Sequence, residues 1–191
     1  MTRRAWSWGS VLAALGVAVA GWSPAVAAAG AADASKLFPI DPATQLETHA
    51  RVDCQASAGQ CDFTVGAQLQ TPDGVAGFPA DLWARQSTIV RSLQRTAYMD
   101  VHTAGGQGPW GDRGGPGTKV FKDGGPSEIT SIYDGAGPPE KYQTHGTIVV
   151  SDLATGQPKI GASVIVCTHI QVVYTGVNVT GPATCAQTTY E

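Results

Sequence analysis

Two short runs of alternating polarity, each carrying a cysteine, constrain this chain more than anything else in it. From Leu46 to Cys54 the residues Leu46, Thr48, Ala50, Val52 and Cys54 fall on one face, and Glu47, His49, Arg51 and Asp53 on the other. From Cys61 to Gln70 the pattern repeats, with Cys61, Phe63, Val65, Ala67 and Leu69 on the apolar face. A period of two is the signature of a half-buried strand. Ala56-Ser57-Ala58-Gly59 lies between them and reads as a turn. Closing a hairpin about the bond between Ser57 and Ala58 sets Cys54 opposite Cys61, Val52 opposite Phe63, Ala50 opposite Val65 and Leu46 opposite Leu69. A slip of one residue breaks all of these pairs at once, so register and disulfide support each other. Asp53 falls opposite Asp62, and both must then reach water.

The same reasoning predicts a second hairpin. Tyr142 to Leu153 and Lys159 to Thr168 flank Ala154-Thr155-Gly156, a loop suited to a type I turn with a left-handed glycine. That hairpin pairs Val150 with Ile160 and Ile148 with Ala162. Val164 to Cys167 is apolar on both faces, which predicts a central strand, continuing bent or bulged through Tyr174. Further strands are expected at 86–93, 96–103, 118–122 and 128–133, with a short edge segment at Val177 to Thr180. Asp123-Gly124-Gly125 and Asp134-Gly135 punctuate them. Helix is scarce: Asp81-Leu82-Trp83-Ala84 is expected to make a single turn, and no longer window holds a 3.6 period. About eight short strands separated by turns predict an all-β fold, a single-domain antiparallel β-sandwich that is Ig-like in the broad sense. A small β-barrel is the alternative.

Four cysteines, Cys54, Cys61, Cys167 and Cys185, read as two disulfides, with the hairpin selecting 54–61 and 167–185. Metal-binding spacing of the CxxC type is missing, and so is a redox C-x-x-C. Disulfides need an oxidising compartment, and the N-terminus names one. Arg3 and Arg4 form a basic n-region and Val11 to Ala20 an apolar h-region. Cleavage triplets follow at Ala25-Val26-Ala27 and Ala27-Ala28-Ala29. Residues 1–29 are thus expected to be a cleaved signal, 30–45 an extended N-terminal segment and 46–191 the sandwich domain. The protein is expected outside the cytoplasm, secreted or associated with the cell envelope. Thr2-Arg3-Arg4-Ala5-Trp6 resembles a twin-arginine signal, with Trp where that pattern usually has Phe. The Ala- and Gly-rich signal and body resemble small exported proteins of actinobacteria. That resemblance is one of style and carries no functional residue across.

Loss of Arg3 and Arg4 takes the formal charge from −3 to −5. An acidic chain with scattered basic residues has no electrostatic footprint for nucleic acid. No apolar run after the signal is long enough to span a bilayer.

The loop from Ala104 to Gly117, AGGQGPWGDRGGPG, is the leading candidate for function. Long loops without structure of their own tend to be functional or disordered. Trp110 is the expected apolar anchor of a ligand, with Asp112 and Arg113 as polar partners. Asp134 to Glu140, flanked by Tyr133 and Tyr142, is expected to share that binding face. Gly-Lys-[Ser/Thr] opening a helix, which a phosphate-cradling loop requires, is missing. His102, His145 and His169 lie in expected strands, with Asp100 near, and a convergent set of Asp100, His102 and His145 is what a hydrolase of envelope polymers would need. His49 falls on a polar face. Ser163 sits mid-strand and not in a nucleophile elbow. Nothing calls for a metal or cofactor. The expectation is a non-enzymatic binding or interaction module whose partner is an envelope or extracellular protein, glycan or lipid. A secreted hydrolase and a structural envelope protein are the alternatives.

Overall fold

The structure, a computed structural model, describes residues 30–103, 111–112 and 117–191, with the backbone alone at 111–112. The signal segment expected at 1–29, and Trp110 and Arg113, lie outside the described residues.

The strands are β1 (Ala31–Pro39), β2 (Gln45–Gln55), β3 (Gln60–Thr71), β4 (Gly74–Ala76), β5 (Trp83–Arg91), β6 (Ala97–Thr103), β7 (Gly111–Asp112), β8 (Thr118–Lys122), β9 (Glu128–Asp134), β10 (Gln143–Asp152), β11 (Ser163–Tyr174), β12 (Val177–Thr180) and β13 (Thr184–Thr189). They form two antiparallel sheets that face each other without closing into a barrel. One runs β1-β2-β3-β10-β6, with β4 beside β3. The other runs β12-β11-β5-β9-β8-β7, with β13 beside β11. The architecture is the expected sandwich, with more strands than the eight and the edge segment (β12) anticipated. The four additions are β1, drawn from the segment read as extended, the very short β4 and β7, and β13 around Cys185.

The first hairpin has the register its polarity dictates: Cys54 pairs with Cys61, Val52 with Phe63, Ala50 with Val65 and Leu46 with Leu69. Ala56–Ala58 form a 3-10 turn that ends on Gly59. β11 is central, held by β5 on one side and by β13 and then β12 on the other. Both disulfides form as paired, Cys54–Cys61 and Cys167–Cys185. They differ in place. Cys54 and Cys61 are buried in the core, whereas Cys167 is half-buried and Cys185 exposed on the outer face of the second sheet.

The second predicted hairpin does not form. β10 and β11 belong to opposite sheets and are linked near the turn only by an isolated bridge, Ser151 to Pro158. Gly156 is left-handed as expected, with φ 69°. Beyond it the chain leaves one sheet for the other. Val150 pairs with Met99, and Ile148 with Val101 and Cys61. β3 leaves β10 at Ile148, and beyond it only Gln157 to Lys159 reach that edge, so Ile160 falls in the following turn and is left in solvent at 60 % exposure. Apolar alternation fixes a face but does not name a neighbour. The helical turn expected at 81–84 is also absent. Leu82 N–H donates to Pro79 O in a tight turn, and β5 starts at Trp83.

The core is two apolar clusters. One centres on Val52, Phe63, Val101, Ile148, Val164 and Tyr190. The other centres on Leu46, Phe78, Leu82, Tyr133, Tyr142 and Ile170. Buried polar side chains lie among them. The Thr48 and Thr184 hydroxyls meet at 2.6 Å. Tyr133 gives its single hydroxyl proton to Gln86 Oε1 at 2.9 Å, so Thr144, 2.8 Å away, donates to Tyr133, and Ser131 in turn donates to Thr144 at 2.6 Å. Gln86 Nε2 donates to Thr168 Oγ1 at 2.9 Å. A buried polar group is tolerable only when paired, and these are.

Candidate functional site

The far end of the sandwich, where β6 runs out at Thr103, is where the sequence places its binding face. Asp112 lies in β7 and pairs in register with Lys119 of β8. The flanking loop from Asp134 to Glu140 is pinned from inside. Lys141 Nζ donates to the carbonyl oxygens of Asp134 at 2.6 Å, Gly135 at 3.1 Å and Ala136 at 2.8 Å. Asp134 N–H donates to Gly117 O, and Gly135 N–H to Leu82 O. Gly77 passes so close to Gly137 that a Cβ there would overlap its carbonyl oxygen.

Tyr133 and Tyr142, expected beside a ligand, are core residues instead, each with no solvent exposure. Tyr142 meets Phe78 edge-on at 4.8 Å and Tyr133 at 5.8 Å, and its hydroxyl donates to Gly135 O at 2.9 Å. Burial pushes the Tyr133 phenol up to about 12 and the Tyr142 phenol upward too, so both stay neutral. The reason is strand parity. Tyr133 shares its face of β9 with Ser131 and Ile129, all three buried. Proximity in sequence to an exposed loop did not decide where the ring points.

The histidines stay on the outer faces. His102 Nε2 lies 3.3 Å from Asp100 Oδ2, both on β6, and Lys122 holds the other carboxylate oxygen at 2.5 Å. His145 on β10 turns to Thr64 Oγ1, 3.0 Å from Nδ1. His49 on β2 covers Gly66, and burial holds its imidazole below the usual 6.5. Among the described residues no three His, Cys, Asp or Glu side chains gather as a metal-ligand set. Ser163 accepts from Leu93 N–H at 2.8 Å and donates to Gln94 Oε1 at 3.0 Å, so its hydroxyl braces a loop.

That loop belongs to a second surface feature, at the opposite end of the sandwich from Thr103. At the end of the sandwich carrying the Cys54–Cys61 turn, Leu93, Leu153 and Ile160 stand 69 %, 66 % and 60 % exposed, more than any other large apolar side chain described. They sit on two loops, 92–96 and 153–162, that are bonded to each other and to the scaffold. Leu153 N–H donates to Thr96 O at 2.8 Å, Ser163 N–H donates to Gln94 Oε1 at 2.9 Å, and Gly161 N–H donates to Tyr190 O at 2.8 Å. Lys159 Nζ contacts Asp152 Oδ2 at 2.5 Å and ties down the second loop. Beside the first loop lies an open cleft of about 360 Å3, bounded by Arg91, Arg95, Tyr98, Met99 and Pro126. Pro126 and Ser127, both on the cleft, tie the sheets together: Val101 N–H donates to Pro126 O and Val90 N–H to Ser127 O, each at 2.9 Å, so one loop bridges both sheets. No ion pair forms at Arg91 or Arg95 among the described residues.

The sequence signal for this end existed. Leu93 interrupts the polar run Arg91-Ser92-Leu93-Gln94-Arg95, and Leu153 and Ile160 flank a turn. A hairpin closed at Ala154-Thr155-Gly156 would pair Ile160 with Val150, a pairing the fold does not make. No protein-family model matches the chain, and no curated protein matches it.

Proposed function

We propose that this chain is an exported β-sandwich that acts as a non-enzymatic binding or interaction module of the cell envelope or extracellular space. The signal anatomy of residues 1–29 and the two disulfides support export. The carrying observation for binding is the exposed trio Leu93, Leu153 and Ile160 on braced loops at one end. Single exposed apolar residues need no explanation, but several gathered on neighbouring loops mark an interaction surface. Leaving each in water forgoes roughly 1.5–3 kcal/mol of burial, and a rigid scaffold presenting loops is the usual division of labour in recognition.

The test is sedimentation of labelled mature protein with fractionated envelope. Saturable retention by one fraction, lost when Leu93 and Ile160 are both changed to Ser, supports the reading. Equal recovery in the supernatant with every fraction defeats it. The Asp100–His102 contact at 3.3 Å favours a second reading, a secreted hydrolase of envelope polymers. Unchanged biological activity in His102→Ala and His145→Ala removes that alternative.

A further inference from the structure

We infer that the end of the sandwich carrying Leu93, Leu153 and Ile160 docks onto the surface of an anionic lipid bilayer, an inference that rests on the binding-module reading above. The three side chains stand exposed on loops, and none of them lines the adjoining cleft. Apolar side chains presented outside a cleft suit a soft, penetrable partner. Apolar side chains enter the boundary between headgroups and acyl chains, while cations beside them stay at headgroup level.

The charge next to the tips fits that partner. Arg91 and Arg95 bracket Leu93 and line the adjoining cleft without an acid partner among the described residues. They do so in a chain whose formal charge is −3, so the uncompensated pair is local. A guanidinium binds phosphate through a planar fork of donors and remains charged at any working pH. Tyr98, 38 % exposed beside the cleft, adds an amphipathic ring of the kind that rests at such a boundary. The loops are held by Ser163, Gln94 and Thr96, so little ordering is needed on docking.

The experiment is co-sedimentation of mature protein with vesicles of phosphatidylcholine alone and of phosphatidylcholine mixed with phosphatidylglycerol. We expect binding to the mixed vesicles and weakening with added salt. Changing Arg91 and Arg95 together to Gln lowers affinity roughly thirtyfold. Changing Leu93 and Ile160 together to Ser lowers it roughly tenfold or more. All four positions are exposed, and unchanged melting of each variant checks that the fold is kept. Equal binding to both vesicle types, or by wild type and variants alike, overturns the inference. So does concentration-dependent self-association that the Leu93/Ile160 variant abolishes, which would make a second copy the occupant. Retention by an envelope protein or glycan fraction with no binding to vesicles overturns the lipid inference and leaves the module reading standing. Failure with every fraction and every vesicle defeats both.

Discussion

The hydroxyls of Thr48 and Thr184 meet 2.6 Å apart inside the core, one contributed by each sheet. Neither has any appreciable solvent exposure, so each depends on the other. Thr184→Val leaves Thr48 without its partner and is expected to lower unfolding free energy by about 1–3 kcal/mol. The double variant, Thr48→Val with Thr184→Val, removes both polar groups and is expected to recover most of that loss. Urea denaturation of the four proteins in the cycle measures it. Equal losses for single and double variants would show that the contact does not couple the sheets.

Tyr190 presents the opposite case. Its ring is fully buried, and among the described residues its hydroxyl has no hydrogen-bond partner. Tyr190→Phe keeps the ring and removes the orphan, and is expected to raise stability by about 1 kcal/mol. A drop of similar size in the same denaturation assay would reveal a partner for that oxygen in solution.

The two disulfides are expected to separate under mild reduction. Cys185 is exposed on an outer face, whereas Cys54 and Cys61 lie within the core. Reductant reaches the first bridge without unfolding and the second only after opening. Mass spectrometry after a timed pulse of reductant and alkylation should therefore label Cys167 and Cys185 first. Simultaneous labelling of all four would mean that reduction waits on global unfolding. Losing either bridge is expected to cost about 2–3 kcal/mol.

Stability should fall as mildly acid pH is approached, and His49 is the expected cause. Burial holds its imidazole below 6.5 in the folded protein, against the pull of Glu47 and Asp33. The unfolded chain therefore takes up a proton near 6.5 that the folded chain resists, and stability is lost as pH drops through that value. Asp41, Asp81 and Asp152 are held below 3.8 by hydrogen bonds, so their contribution is lost only in stronger acid. His49→Gln should flatten the melting temperature between pH about 7 and 5. An unaltered slope would assign the effect to another group.

How much of this was legible follows from what alternation encodes. Leu46 to Cys54 and Cys61 to Gln70 carry both face and register, because the intervening turn is short and a cysteine sits at each end. Val150 and Ile160 carry a face alone: Val150 pairs with Met99, and Ile160 stands in solvent. Tyr133 and Tyr142 were placed by their neighbours in sequence, although strand parity already turned Tyr133 inward with Ile129. Leu93 is visible as an apolar intruder in a polar loop, but its grouping with Leu153 and Ile160 depends on two connections between the sheets, β5 to β6 and β10 to β11, meeting at one end. Pairings between sheets, such as Thr48 with Thr184, leave no periodic trace.

The bridging loop at Pro126 and Ser127 bears on what the free edge of β6 can offer to another chain. An open strand edge is a template for another chain, and repeated edge pairing is the route to fibrils. Part of that edge on β6 is already spent, because Val101 N–H is satisfied by Pro126 O. Pro126 itself has no N–H to offer an incoming strand. A loop that fastens two sheets together thus doubles as a guard against polymerisation at that edge.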